Sequence, residues 1–132
     1  MSPTIAGVVL TLNEEQDLAR ALASLSWCDE RLVLDSGSVD GTVAVARGLG
    51  VPVVDHRQPP PFRISEQRNW ALEQAGLHAD WVLFLDADEE AGPALAAEIR
   101  RRVADPAAPD GFEQFRQFAR NRSGAVAKHG QP

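Results

Sequence analysis

The chain has 132 residues, 44% of them hydrophobic and 24% charged, with a formal net charge of −6. That length suits one domain, able to bury roughly two-thirds of its unfolded surface without disulfides, and the balance excludes a disordered chain, a collagen, a coiled coil and a general nucleic-acid binder, which carries a basic surplus. The single cysteine, Cys28, builds neither an internal disulfide nor a cysteine metal site, no apolar run reaches the roughly 20 residues of a membrane span, and Met1–Thr4 lacks a secretory pattern, so a reducing, cytoplasmic setting is expected.

Ile5 to Leu12 is apolar and rich in β-branched residues, the pattern of a buried strand. Asn13 is placed to cap a helix, with Gln16 three residues on. Leu18, Ala21, Leu22 and Leu25 give that helix one apolar face. Leu32 to Leu34 reads as a second strand, Asp35 to Gly41 as a turn-rich loop, and Thr42 to Leu49 as a helix ended by Gly50. Val51 to Val54 is a third strand. The three prolines Pro59 to Pro61 exclude helix and central strand. Ser65 is placed to cap a helix from Glu66 to Ala75, closed by Gly76. Trp81 to Leu85 is a fourth strand, Asp86 to Glu90 a loop, and Pro93 opens a last helix to Val103.

Strands with continuous apolar runs, alternating with helices, predict an α/β fold: a mostly parallel sheet with helices on both faces. Ligands of such sheets bind beyond the carboxyl ends of the strands. Asn13, Asp35 and Asp86 therefore converge on one rim. Asp105 to Gly111 has breaker chemistry, and the charge changes sign there: residues 1–110 hold 9 Lys/Arg against 18 Asp/Glu, residues 111–132 hold 4 against 1. This divides a unit at 1–104 from a 105–132 linker with an incomplete or disordered end, poorly packed on the rest. Phe112, Phe115 and Phe118 recur every three residues, a spacing open to a short amphipathic helix.

Three stretches carry chemistry. In the first, the apolar run Trp81–Leu85 feeds Asp86-Ala87-Asp88. If strand geometry persists, both carboxylates share a face and suit one hard divalent cation; the same residues equally suit the start of the next helix. In the second, Asp35 ends a strand and opens Asp35-Ser36-Gly37-Ser38-Val39-Asp40-Gly41, where a carboxylate can accept from a ring N–H; turn and cap chemistry explains its neighbours. In the third, Arg68 and Asn69 lie in the first turns of a helix. No Gly-x-Gly-x-x-Gly follows Ile5–Leu12 and no Gly-Lys-Ser/Thr loop exists, which argues against a nicotinamide oxidoreductase and a P-loop NTPase.

Taken in order, Val9–Glu15, Val33–Thr42, Gln67–Asn69 and Trp81–Glu89 resemble the nucleotide-sugar half of glycosyltransferase family 2, over residues 4–104. The texture of Asp35–Thr42 and Asp86–Glu89 is similar to the subgroup acting on lipopolysaccharide core. The resemblance implies a Rossmann-like GT-A fold and an inverting transfer from a nucleoside-diphosphate sugar, a UDP-sugar by preference, to a glycan or lipid-linked acceptor in cell-envelope synthesis. It implies that Thr11, Leu12, Asn13 and Glu14 line the nucleotide pocket. Asp35 would hydrogen-bond the base, Arg68 would lie beside base or ribose, Asp86 would contact ribose or the metal, and Asp88 would ligate Mg²⁺ or Mn²⁺. The family's acceptor and general-base segment follows the Asp-x-Asp, and no base is assigned here by motif; Glu113 and His129 are available groups. A truncated chain is therefore expected. An inactive donor-binding remnant and a non-enzymatic α/β interaction domain stay open beside the transferase, as does peripheral association with a membrane.

Overall fold

The computed structural model describes residues 3–105, 111–112 and 125–128. Six strands form one sheet in the order β3-β2-β1-β4-β6-β5: β1 is Ile5–Thr11, β2 Glu30–Asp35, β3 Val53–Asp55, β4 Trp81–Asp86, β5 Gly111–Phe112 and β6 Ala125–Lys128. The first four pair in parallel, while β6 runs antiparallel to β4 and β5 antiparallel to β6. Two strands therefore join the sheet from beyond residue 104, where the sequence pattern drew its boundary. The breaker residues mark the end of the parallel unit, not the end of the sheet. Phe115, Phe118, Glu113 and His129 lie outside the described residues.

The helices are α1 Leu18–Ser24, α2 Thr42–Gly48, α3 Ile64–Gln74 and α4 Pro93–Val103. Strand alternation splits the core in two. Ile5, Val9, Val33, Trp81, Leu83 and Leu85 face one way and pack with α1, α2 and α4 residues such as Leu18, Leu22, Ala46, Leu95 and Ile99. Ala6, Val8, Leu10, Leu32, Leu34, Val82 and Phe84 face the other way, against Ala71 of α3. Fully burying a leucine such as Leu18, Leu22 or Leu25 contributes about 1.5–3 kcal/mol. α1 comes close because Gly7 has no side chain: a Cβ there would lie 2.9 Å from Leu25 Cδ1 and 3.1 Å from Cys28 Sγ. Burial, reinforced by Asp29, pushes the Cys28 thiol up to about 12, so it stays protonated and serves packing.

The expected helix start at Asn13 is corrected. Asn13 has a left-handed φ of 56°, and α1 begins five residues later with Asp17 at its N-cap. Asn tolerates this conformation. Its backbone N–H and side chain are committed to another loop, as described below, and cannot cap α1. Ser65 likewise caps nothing: α3 opens one residue before it, with Arg63 as N-cap. β3 starts two residues later than the pattern Val51–Val54 suggested.

The chain moves outward from β1 to β2 to β3, then returns to place β4 on the other side of β1. The crevice between β1 and β4 at their carboxyl ends is the switch point of the topology, where open parallel sheets take ligands. Leu10 and Asp86 are register partners at that place.

Candidate functional site

Asp35 ends β2 opposite Thr11 and is 2% exposed. Its Oδ1 accepts from the Thr11 hydroxyl at 2.6 Å and the Ser38 hydroxyl at 2.5 Å. Its Oδ2 accepts from the Ser38 N–H at 2.7 Å and the Gly37 N–H at 3.0 Å. Burial raises this carboxyl's pKa, and the bonds from Ser38, Thr11 and Gly37 outweigh it, holding the group below the usual carboxylate range. A carboxylate offers about four acceptor positions, and all four are spent on the protein. Gly37, at φ 104°, supplies the backbone turn that brings those donors round.

The loop so formed is stapled to the one after β1. The Asn13 N–H donates to Ser38 Oγ at 2.8 Å, and Asn13 Oδ1 accepts from the Val39 N–H at 2.9 Å. The Glu14 N–H donates to Thr42 Oγ1 at 2.8 Å, and Glu15 Oε2 accepts from the Gly41 N–H at 3.1 Å. The Thr42 hydroxyl in turn donates to Asp40. The two loops form one crosslinked floor at the rim.

A cleft of about 180 Å³ opens on that rim, lined by Leu10, Thr11, Leu12, Glu14, Ser36, Phe62, Ile64 and Asp86. Leu12, Phe62 and Ile64 expose 52%, 53% and 42% of their surface around it, enough apolar area to hold a ring. The cleft sits on the α3 side of the sheet, the side shared by Leu10, Phe84 and Asp86. Asp35, one residue out of phase with Leu34, shares its face with Thr11, whose hydroxyl it holds. Ser36 is among the lining residues and Asp35 is not; the carboxylate lies just beneath, on Thr11, Gly37 and Ser38.

Thr11, Leu12 and Glu14 line the cleft, and Asn13 shapes the floor without lining it. Arg68 is half-buried, its guanidinium carbon 5.9 Å from the Phe84 ring centroid, on the Asp86 side of the sheet. Asp86 is half-buried at the cleft's edge and Asp88 is exposed. Strand geometry does not persist through this motif. β4 stops at Asp86, and a turn follows in which the Glu89 N–H donates to the Asp86 carbonyl at 3.0 Å. Glu89, wholly buried, closes the turn from inside by accepting from the Asp86 N–H at 2.8 Å. Glu14 senses both acids of the motif: burial raises its pKa, and Asp88, Asp17, Asp86 and Asp40 raise it further.

Ser36, Phe62, Ile64 and Glu89 were not singled out in advance. Three prolines before Phe62 were a signal for a rigid loop that could hold it out into solvent. Nothing local marked Glu89 as the buried acid of its cluster. A larger groove, about 760 Å³ between α1 and α4, is lined by small apolar residues with Trp27, Arg20 and Glu90, and none of the rim residues reaches it. Among the described residues no helix is long and apolar enough to cross a membrane.

Comparisons with known proteins bear on the family and the fold. The family model described as Glycosyl transferase family 2 matches residues 8–122. An uncharacterized glycosyltransferase of Rickettsia conorii is 38% identical over 100 residues, covering 75% of this chain and 34% of that protein. The lipopolysaccharide core biosynthesis glycosyltransferase LpsC of Rhizobium meliloti is 35% identical over 95 residues, 69% of this chain and 34% of its own length. The crystal structure of glucosyl-3-phosphoglycerate synthase from Mycobacterium tuberculosis with Mn²⁺ and uridine-diphosphate-glucose superposes with a TM-score of 0.66 at 28% identity, over 83% of this chain and 42% of that one. The chain spans about a third of the length of these curated relatives. The shared architecture is the Rossmann-like GT-A fold.

Proposed function

Since the chain belongs to glycosyl transferase family 2, we propose that the cleft at the β1–β4 switch point takes the nucleoside diphosphate of a UDP-sugar, with a divalent cation held beside it by Asp88 and Asp86. The observation that carries this reading is the crowding of acids at the cleft's mouth, where Asp88 and Asp86 raise the pKa of Glu14. Gathered negative charge of this kind favours a cation. Carboxylate oxygens are the donor set for Mg²⁺ or Mn²⁺, with phosphate oxygens completing the shell. Among the described residues no group of three or more His, Cys, Asp or Glu stands ready to hold a metal, so a cation here needs the diphosphate's oxygens as well. When bound, it supplies neutralisation of the charge growing on the leaving diphosphate.

The chain's own residues divide the remaining work. Leu10, Leu12 and Phe62 flank the base. Asp86, at the cleft's edge, faces the ribose, and Glu89 keeps it there by fixing the turn. Asp35 and Asn13 hold the floor. An acceptor hydroxyl then displaces the nucleoside diphosphate with inversion. The acceptor we propose is a glycan or lipid-linked sugar of the bacterial envelope, acted on in a cytoplasmic setting; the likeness to LpsC supports it, as the Mn²⁺ and UDP-glucose bound by the Mycobacterium tuberculosis enzyme support the donor and metal.

Calorimetric titration of UDP and uridine, with Mn²⁺ and with chelator, tests the reading. Mn²⁺ should raise UDP affinity, and Asp88→Asn should abolish that gain while sparing uridine binding. Retention of the whole gain by the variant would reduce the acidic turn to a helix-start loop. UDP binding without sugar transfer would identify a donor-binding remnant.

A further inference from the structure

Gln67 is wholly buried in α3, yet it touches two loops around the cleft, the one after β2 and the one after β3. Its Nε2 donates to Ser36 Oγ at 3.2 Å and to the His56 carbonyl at 3.1 Å. Its Oε1 accepts from Gln58 Nε2 at 2.8 Å. Gln58 in turn accepts from the Arg63 N–H at 3.0 Å and donates to the Arg63 carbonyl at 2.9 Å. Both ends of this chain have fixed polarity. A backbone N–H only donates and a carbonyl only accepts. The Arg63 peptide groups therefore set the Gln58 amide, Gln58 sets Gln67, and the His56 carbonyl sets Gln67 the same way. The Ser36 oxygen must accept from Gln67. No protein acceptor takes the Ser36 hydroxyl hydrogen among the described residues, and Ser36 lines the cleft.

We propose that Gln67 is a positioning residue that turns the Ser36 hydroxyl into an obligate donor toward the cleft, so that the site prefers a nucleobase offering it a carbonyl oxygen over one offering an amino group. This rests on the reading of the cleft as a nucleotide site. Uracil presents a carbonyl at the position where cytosine carries its amino group. Against cytosine the hydroxyl would meet a second donor, leaving the two groups facing each other with no bond between them.

Titration of UDP and CDP into the protein, with Mn²⁺, measures the preference as a ratio of affinities. The parent should favour UDP by about tenfold or more, the worth of one hydrogen bond made or left unmade. Gln67→Glu keeps the shape but puts an acceptor against Ser36, so the hydroxyl turns inward and the ratio should fall to within about threefold. A purely structural role would weaken both nucleotides by one factor and leave the ratio alone, and that result overturns the proposal. If Gln67→Glu unfolds, Ser36→Ala decides: a lowered UDP:CDP ratio supports the proposal and an unchanged one overturns it. Equal affinities in the parent, or a preference for CDP, overturn it while leaving the donor reading intact. A parent that binds neither nucleotide removes the donor reading and this proposal together.

Discussion

Replacing Asp35 by Asn keeps the side chain's shape and removes its charge. In the native loop that carboxylate receives two hydroxyl and two backbone N–H donors at 2.5–3.0 Å. The amide can keep its oxygen toward only one pair. It should keep it on the Gly37 and Ser38 N–H groups, since the Thr11 and Ser38 hydroxyls can rotate to accept instead. The two retained bonds lose their charge assistance, about 0.5–1 kcal/mol each, and the two reversed ones lose about as much again, a total of about 2–4 kcal/mol. For a domain of this size that lowers Tm by about 6–15 °C. The pH dependence carries a sign. A carboxyl held below its unfolded value of about 3.9 contributes its full stability above that pH and loses it as the pH falls through the depressed folded value. Urea unfolding of parent and variant from pH 7 to pH 2.5 should therefore show a constant gap that narrows only below about pH 4. A gap under about 0.5 kcal/mol at pH 7, or one that widens in acid, would refute the saturated-carboxylate account. UDP affinity of the folded variant should change little, because Asp35 does not line the cleft.

Gly7→Ala would press a methyl 2.9 Å from Leu25 Cδ1 and should cost about 1–3 kcal/mol in urea unfolding; in a Leu25→Ala background that cost should shrink to what the Cys28 Sγ contact at 3.1 Å leaves. Glu14 is the opposite case to Asp35: its raised pKa means that its charge, penalised by burial and by Asp88, weakens the fold at neutral pH. Glu14→Gln should raise the Tm of the metal-free protein at pH 7, and the advantage should fade as the pH falls through the raised native value toward the unfolded value of about 4.3, where the parent's carboxyl is protonated too.

The strands and helices were legible because continuous apolar runs alternate with helix-period segments, and each parallel strand announced itself by composition. The helix boundaries were less so. Asn13 looks like a cap by residue type, but its partners come from Ser38 and Val39, 25 and 26 residues away, and no local pattern reveals them. The acidic pair Asp86 and Asp88 was visible; the turn that separates them was not, since it depends on Glu89 folding inward. Asp35, read from the sequence as a contact to the base, is engaged by four donors of its own and neighbouring loops. Which face a strand residue takes is set by register against its neighbours, here Thr11 opposite Asp35 and Leu10 opposite Asp86, and register is a tertiary property. The strands beyond residue 104 were hidden because two and four residues are too few to show a period.

Asp35 and Ser36 are chain neighbours that answer to different masters. One belongs to the scaffold, the other to whatever fills the cleft. Exchanging the residue at 36 alters the lining of the pocket and leaves the loop's internal bonds standing; exchanging the residue at 35 does the reverse. Recognition in this fold can therefore drift, or be re-engineered, at one position without a tax on folding at the next. The arrangement has a single point of fragility: deleting one residue within β2 would carry the carboxylate into the buried place of Leu34 and the serine into the floor, so that both tasks would be lost together.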